Sequence, residues 1–291
     1  MSETANRVTK ARLLHSLHHG AEPLVLPNAW DALSARLVAR AGAAAIATTS
    51  SGVAWSLGAP DGDMLARSLA VDLIARVAAA VDIPVTADIE SGYAPDPTGV
   101  AETIRQVLAA GAVGVNLEDS AHGGSTALRP VAEQRERVAA ARRAAEEVGV
   151  PLYLNARVDV FLRGAGEGGA LLDTTLERAR AYLDEGASGV FVPGVTDPEI
   201  IRTLVDNLDA PVNVLTGPGA PTIQELAAAG AARVSVGSGL TQSAYAVAER
   251  AAVELLTKGT YQSLERGYEY GELDTLMRTN TPPRAHPAPT S

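Results

Sequence analysis

The chain of 291 residues contains no cysteine. Disulfides, thiolate zinc sites, iron–sulfur clusters and a cysteine nucleophile are therefore excluded together. Lysine is nearly as scarce. Lys10 and Lys258 are the only two among 24 Lys and Arg, and neither falls in a segment that reads as a strand. A Schiff-base aldolase needs a lysine desolvated inside its site, so that chemistry is not expected. Histidine is confined to His15, His18 and His19 near the start, His122, and His286 in the tail. Positive charge is outweighed, with 24 Lys and Arg against 34 Asp and Glu for a net of −10, which disfavours nucleic acid and anionic membranes as partners. No run approaches about 18 uninterrupted apolar residues, and no charged N-terminal segment leads into an apolar stretch. The expectation is a soluble, cytoplasmic protein. Its 46% hydrophobic residues suffice for a substantial core and exclude disorder over most of the chain.

What is present is a recurring unit. A helix-like stretch ends in glycine, a few small residues follow, and a short β-branched run then ends in polar or acidic residues. Examples surround Gly42, Gly111, Gly186 and Gly230, and a second version enters the strand through Pro84, Pro151 or Pro211. Glycine just past the last helical turn is a common C-terminal cap, and the short apolar runs suit strands buried on both faces. Eight strands are expected, at 24–28, 45–49, 85–89, 114–118, 152–157, 190–193, 212–215 and 234–236. Helical patterns fill the gaps, among them 31–41, 98–110, 132–148, 223–229 and 241–257. Strict alternation demands a parallel sheet, and eight units in this length fit an α/β fold closed as a (β/α)8 TIM-type barrel. The expected layout is a barrel over 1–259, a C-terminal helical extension over 260–279, and a proline-rich disordered tail over 280–291.

Active sites of such barrels lie where the strands end. Asp61, Asp88, Glu90 and Glu118 would meet on one rim and repel one another, and a hard divalent cation resolves that crowding. Oxygen-only ligands point to Mg2+ or Mn2+ rather than zinc. Arg157 could grip a carboxylate through two parallel hydrogen bonds, and the amides of Ser50, Ser51 and Gly52 could take a second anionic oxygen. Each residue also has a plainer reading. A strand-end carboxylate often caps the next helix or pairs with an arginine, and Asp31 reads as such a cap. Asp119 reads as a lid hydrogen-bonding partner, Trp30 as a core aromatic or a pocket wall, and Ser50–Gly52 as a turn. His122, beside two glycines, reads as a solvated loop residue or as a proton donor with a pKa near neutrality.

The segments ADIESGY, VNLEDS and NARVDVF, in this order after TTSSGVAWSLGAPDGD, resemble the isocitrate lyase/phosphoenolpyruvate mutase superfamily over roughly residues 13–259. The resemblance implies that Asp88 ligates the metal directly and that Glu90, Glu118 and Asp61 hold it through water. It further implies that Ser50, Ser51 and Gly52 bind an oxo acid, Arg157 its carboxylate, and Asn213 the substrate. It also implies an enolate intermediate, a mobile lid after the fourth strand, and a homotetramer in which a C-terminal helix crosses to a neighbour. The chain departs from the family pattern at Glu90, where Asp is usual, and in the lid at 121–130, which carries neither cysteine nor lysine. His122, Arg157 and Glu118 are the candidate catalytic residues. A lyase or decarboxylase acting on a small 2-oxo or 2-hydroxy di-acid is expected. A phosphonomutase or phosphonopyruvate hydrolase, and a non-catalytic oxo-acid binder, stand as alternatives.

Overall fold

A computed structural model describes residues 3–122, 127–165 and 169–278 of the chain. Its strands are β1 (Leu24–Leu26), β2 (Asn28–Ala29), β3 (Ile46–Thr48), β4 (Val85–Asp88), β5 (Gly114–Glu118), β6 (Tyr153–Arg157), β7 (Gly189–Val192), β8 (Val212–Leu215) and β9 (Arg233–Ser235). All pair in parallel, in the order β1-β9-β8-β7-β6-β5-β4-β3-β2. The two ends of that order are joined by one residue, Pro27. The expected first strand at 24–28 is thus two pieces, because proline has no N–H to give a ladder and interrupts it there. β1 pairs with β9 and β2 with β3, so the covalent chain closes the ring. Asn28 stitches the seam with its side chain: Nδ2 donates to the Thr48 carbonyl at 2.9 Å, and Oδ1 accepts from the Val236 amide at 3.1 Å.

Local chemistry sets the helix starts. Asp31 caps the helix Ala32–Arg40 in a reciprocal box with Ser34, Asp96 caps Pro97–Ala109, and Thr222 pairs with Glu225 at Ile223–Ala228. Two helical elements went unread in the sequence. Ser50–Ser56 is a helix whose first residues are Ser50, Ser51 and Gly52, so this stretch is neither a free turn nor an isolated anion nest. Glu3–Leu17 is a helix of low amphipathicity that closes the N-terminal end of the barrel. Its Leu14 is fully buried against Gly114 and Thr86, where a Cβ on Gly114 would lie 2.6 Å from the leucine. Just beyond it the His18 ring stacks on Tyr153 at 3.7 Å, with Nδ1 within 2.7 Å of the Leu14 carbonyl.

At the other side of the seam the outer layer is open. Val25 of β1 is 38% exposed, although neighbouring strands are covered by helices. The helix that should cover it, Gly239–Lys258, buries only Thr241 of its 20 residues. Leu256 (85%), Val253 and Leu255 stand in solvent. The chain beyond it forms a short turn of 3-10 helix, Gln262–Leu264, and a helix, Tyr270–Arg278, which docks Leu276 on Ala32–Arg40 through Arg36 Nη1 to the Leu276 carbonyl. Among the described residues no helix is long and apolar enough to cross a membrane.

The N-terminal plug generates a stability prediction. Leu14→Ala leaves a cavity between a helix and the strand ends and should cost about 3 kcal/mol, the usual scale for a buried leucine. Urea denaturation measures this; a loss under 1 kcal/mol would mean that the plug is not part of the core.

Candidate active site

The strand ends gather the polar residues on one rim. Tight winding after β4 sets the geometry: Glu90, Gly92 and Tyr93 all have positive φ, at 51°, 100° and 50°. For Glu90 and Tyr93, which carry a Cβ, this backbone is strained and persists only where surroundings impose it. It turns Glu90 and Ser91 toward the loop at 61–63, where Asp63 is also left-handed (φ 60°). The Asp63 amide donates to Glu90 Oε2 and the Ser91 hydroxyl to Asp63 Oδ2. The sequence carries no sign of this role for Asp63, because its left-handed backbone, which makes the contact, leaves no residue-type signal outside glycine and asparagine.

Asp88, at the end of β4, accepts from the Ser50 hydroxyl (2.9 Å) and amide (3.3 Å) through Oδ2, while its Oδ1 is buried without a partner. Glu90 Oε1 and Asp63 Oδ1 are likewise unsatisfied. Asp61 lies near Ser50, whose hydroxyl proton goes to Asp88. Burial and then the nearby Asp88 raise the Asp61 carboxyl, against Arg157 and Ser50. Burial pushes Glu90 up to about 7, opposed by the Asp63 amide and reinforced by the charges of Asp63, Asp61 and Asp88.

Glu118, ending β5, lies between two bases. Arg157 Nη1 meets its Oε2 at 2.8 Å and His122 Nε2 meets its Oε1 at 2.8 Å. Burial raises Glu118, with Arg157 and His122 opposing, whereas the Glu118 hydrogen bond is the main cause of a raised His122. Arg157, from β6, is also held from its side by Asp159, which takes Nε at 2.7 Å and Nη2 at 3.1 Å. Burial alone would lower the guanidinium, but Glu118, Asp159 and Asp88 together raise it. The two-bond grip expected of Arg157 is therefore already made to Asp159, and of its five N–H groups three are engaged in the chain.

Asp119 turns away from the rim, accepting from the Asp159 amide, Arg178 and Tyr182. The base of the lid is strapped: Ser120 bridges to Leu128, the Ala121 amide donates to the Ala127 carbonyl and the Arg129 amide to Asp119. Residues 123–126 of the lid lie outside those described, as does the tail at 280–291. Trp30 is half-buried and backs the first turn of Ser50–Ser56, with its Cβ 3.0 Å from where a Cβ on Gly52 would sit. Ser51 Oγ pairs with Thr49 Oγ1. Asn213 lies just below the rim, its Oδ1 accepting from Asn155 and its Nδ2 directed at Val214 O, Arg233 O and Ser235 Oγ. The rim thus unites Asp61, Asp63, Asp88, Glu90, Glu118, His122 and Arg157.

A hard divalent cation fits this donor set. The orphaned oxygens of Asp88 and Glu90 are buried acceptors that a cation or its water shell would satisfy. Among the described residues no three acidic or imidazole groups come close enough to ligate one ion directly.

A closed parallel barrel with a carboxylate-and-arginine rim is the class of protein these features define. Comparison with known proteins makes it particular: the phosphoenolpyruvate phosphomutase family model matches residues 14–256, and the chain belongs to that family, within the isocitrate lyase/phosphoenolpyruvate mutase superfamily. It is 38% identical over 264 residues to an uncharacterized protein of Mycobacterium tuberculosis, covering 90% of this chain and 95% of that one. It is 30% identical to 2-methylisocitrate lyase of Escherichia coli over 195 residues, 65% of this chain and 64% of the lyase. The structure of oxaloacetate acetylhydrolase with the product oxalate superposes with a TM-score of 0.83 at 25% identity, covering 93% of this chain and 94% of that one. Family members are enzymes, among them lyases, mutases and hydrolases.

The Glu90 shift has a testable sign. Its folded pKa lies above the unfolded value, so between about pH 4.5 and about 7 the folded state keeps a proton that the unfolded state has lost, and stability falls as pH rises through that window. Glu90→Gln removes the penalty. Without metal, the variant should melt a few degrees above wild type at pH 8, about 2–4 °C per kcal/mol regained, and level with it at pH 4.5. An equal difference at both pH values would refute the buried-acid origin.

Proposed function

We propose that the chain is a divalent-cation-dependent enzyme that cleaves the C–C bond beside the carbonyl of a small 2-oxo or 2-hydroxy di-acid, as a lyase or decarboxylase. The supporting observation is the pair of unsatisfied carboxylate oxygens on Asp88 and Glu90, beside an arginine fixed in place by Asp159. Asp88 would hold Mg2+ or Mn2+ directly, with Glu90, Glu118 and Asp61 acting through water. When bound, the ion supplies Lewis-acid stabilisation of the charge that develops on the oxo oxygen. Arg157 offers its remaining N–H groups to the substrate carboxylate. Asp159 keeps the guanidinium from turning, so little order is lost on binding. Ser50, Ser51 and Gly52 bound the site on one side, with Trp30 behind them and Asn213 beneath. His122 Nε2, poised on Glu118, is the proton carrier in place of a lid cysteine. The lid sequence offers no lysine to a migrating phosphoryl group, which favours C–C over C–P chemistry.

An assay panel of oxaloacetate, alkylmalates, methylisocitrate and phosphonopyruvate, with and without Mg2+, tests the reading. Metal-dependent turnover of a carbon di-acid is expected, and Asp88→Ala should abolish both that turnover and Mg2+ binding with the fold intact. Turnover of phosphonopyruvate alone would assign the phosphonate reaction, and oxalate binding with no turnover a binding protein. For the proton, His122→Gln should remove the limb of the pH–rate profile that wild type owes to the imidazole; profiles of the same shape and height would clear His122 of the role.

We further propose a cytoplasmic homo-oligomer, expected as a tetramer, in which the Gly239–Lys258 helix of one copy covers the Val25 face of another; the exposure of Val25, Val253 and Leu256 supports the exchange. Light scattering should give a multiple of the chain mass of 30.0 kDa. The double variant Val253→Arg and Leu256→Arg should lower it; a wild-type monomer would overturn the exchange.

A further inference from the structure

Below the rim the barrel encloses a cation that the reaction above does not use. Arg233 of β9 points inward, in register with Asn213, and is 1% exposed. Its Nη2 donates to Asn116 Oδ1 at 3.3 Å, while Nε and Nη1 are buried without a partner. Burial lowers its pKa to about 10, with Tyr153 and Asp88 opposing, which leaves it charged at neutral pH. An arginine sealed in a barrel with two idle donors is costly unless a charge nearby compensates it.

The side chains that share this interior identify the compensating charge. Asn116, Asn155, Asn213 and Thr86 are neutral, and Tyr153 is held protonated, burial raising its phenol well above the ordinary value. His18, beneath Tyr153, is neutral as well: burial and then Arg233 lower it to about 3. Asp88 sits in register beside Asn116, the residue that Arg233 touches, and is the carboxylate that acts on Arg233. The unpartnered atoms are also complementary, with donors on Arg233 and acceptors at Asp88 Oδ1, Asn155 Oδ1 and Thr86 Oγ1.

We propose that Arg233 is an electrostatic positioning residue, a fixed internal counter-ion to Asp88 that opposes a bare divalent cation at the rim and favours the same cation once a dianionic oxo acid accompanies it. The inference rests on the metal reading given above. A cation that takes over the charge of Asp88 leaves Arg233 uncompensated, so metal alone binds weakly. A dianion restores the balance, so metal and substrate bind as a pair. Arg233 touches neither, and acts through the field inside the barrel.

The test has two readouts of opposite sign. Mn2+ binding is titrated on wild type, Arg233→Met, Arg233→Gln and Arg233→Lys, and oxalate is then titrated on each Mn2+-loaded protein. The two neutral variants should hold Mn2+ alone about three- to tenfold tighter and oxalate about three- to tenfold weaker, with Arg233→Lys staying near wild type on both counts. A purely structural lesion cannot tighten one and weaken the other. Unchanged constants, or both weakened together, would overturn the inference while leaving the metal reading intact. Wild type that binds no Mn2+ would overturn both. Should a neutral variant be too unstable to titrate, thermal melts decide: saturating Mn2+ should raise its Tm more than it raises that of wild type, and an equal rise counts against Arg233.

Discussion

Carboxylates from the ends of β4 and β5 and from the 61–63 loop crowd one rim, where Glu90 and Glu118 are buried and Asp88 and Asp63 half-buried, and their mutual repulsion has to be offset there. Each is handled differently. Glu118 is balanced by Arg157 and His122, Asp88 takes two hydrogen bonds from Ser50, and Glu90 is pushed toward its protonated form. Asp159 performs a quieter task. It fixes the guanidinium on which the balance turns, and its own amide is held by Asp119, which is anchored in turn by Arg178 and Tyr182. The charge at the rim is therefore braced through a chain of hydrogen bonds into the helices behind it.

The opposite end of the barrel carries no such tension. There Leu14, Tyr153 and His18 fill the space between strands, and glycine at 114 makes room for the leucine. The division follows the direction of the strands. Parallel strands all present their carboxyl ends to one side, so polar residues accumulate there and packing residues at the other. Arg233 is the exception, a charge placed between the two layers.

Much of this was legible in the sequence because the repeating unit is punctuated by residues with narrow conformational uses. Glycine and proline mark where strands begin, and strand-end polar residues mark the rim, so the place of Asp88, Glu90, Glu118 and Arg157 on it is readable from position alone. Pro27 was visible, yet its consequence was not: a break in one strand matters only when that strand is the seam of a closed ring. The helix Glu3–Leu17 escaped because the face it turns inward carries Arg7, Lys10 and His15 beside Val8, Ala11 and Leu14, so its apolar residues form no clear stripe. Arg233 escaped for a related reason. An arginine before a β-branched run reads as a strand entry, and only its register with Asn213 places it inside. The Arg157–Asp159 clamp, two residues apart, joins a strand end to the following turn and has no periodic signature.

The strap at the base of the lid separates two kinds of variation. Ser120, Ala121, Ala127 and Leu128 are tied to each other, and Asp119 to Arg129, before the intervening loop begins. Changes of length or composition between those ties are absorbed without moving Glu118 or the helix Val131–Val148 that follows. Glu118 and that helix are thus anchored independently of the loop, whereas His122, which sits between the ties and reaches Glu118, is the rim residue that the loop itself carries.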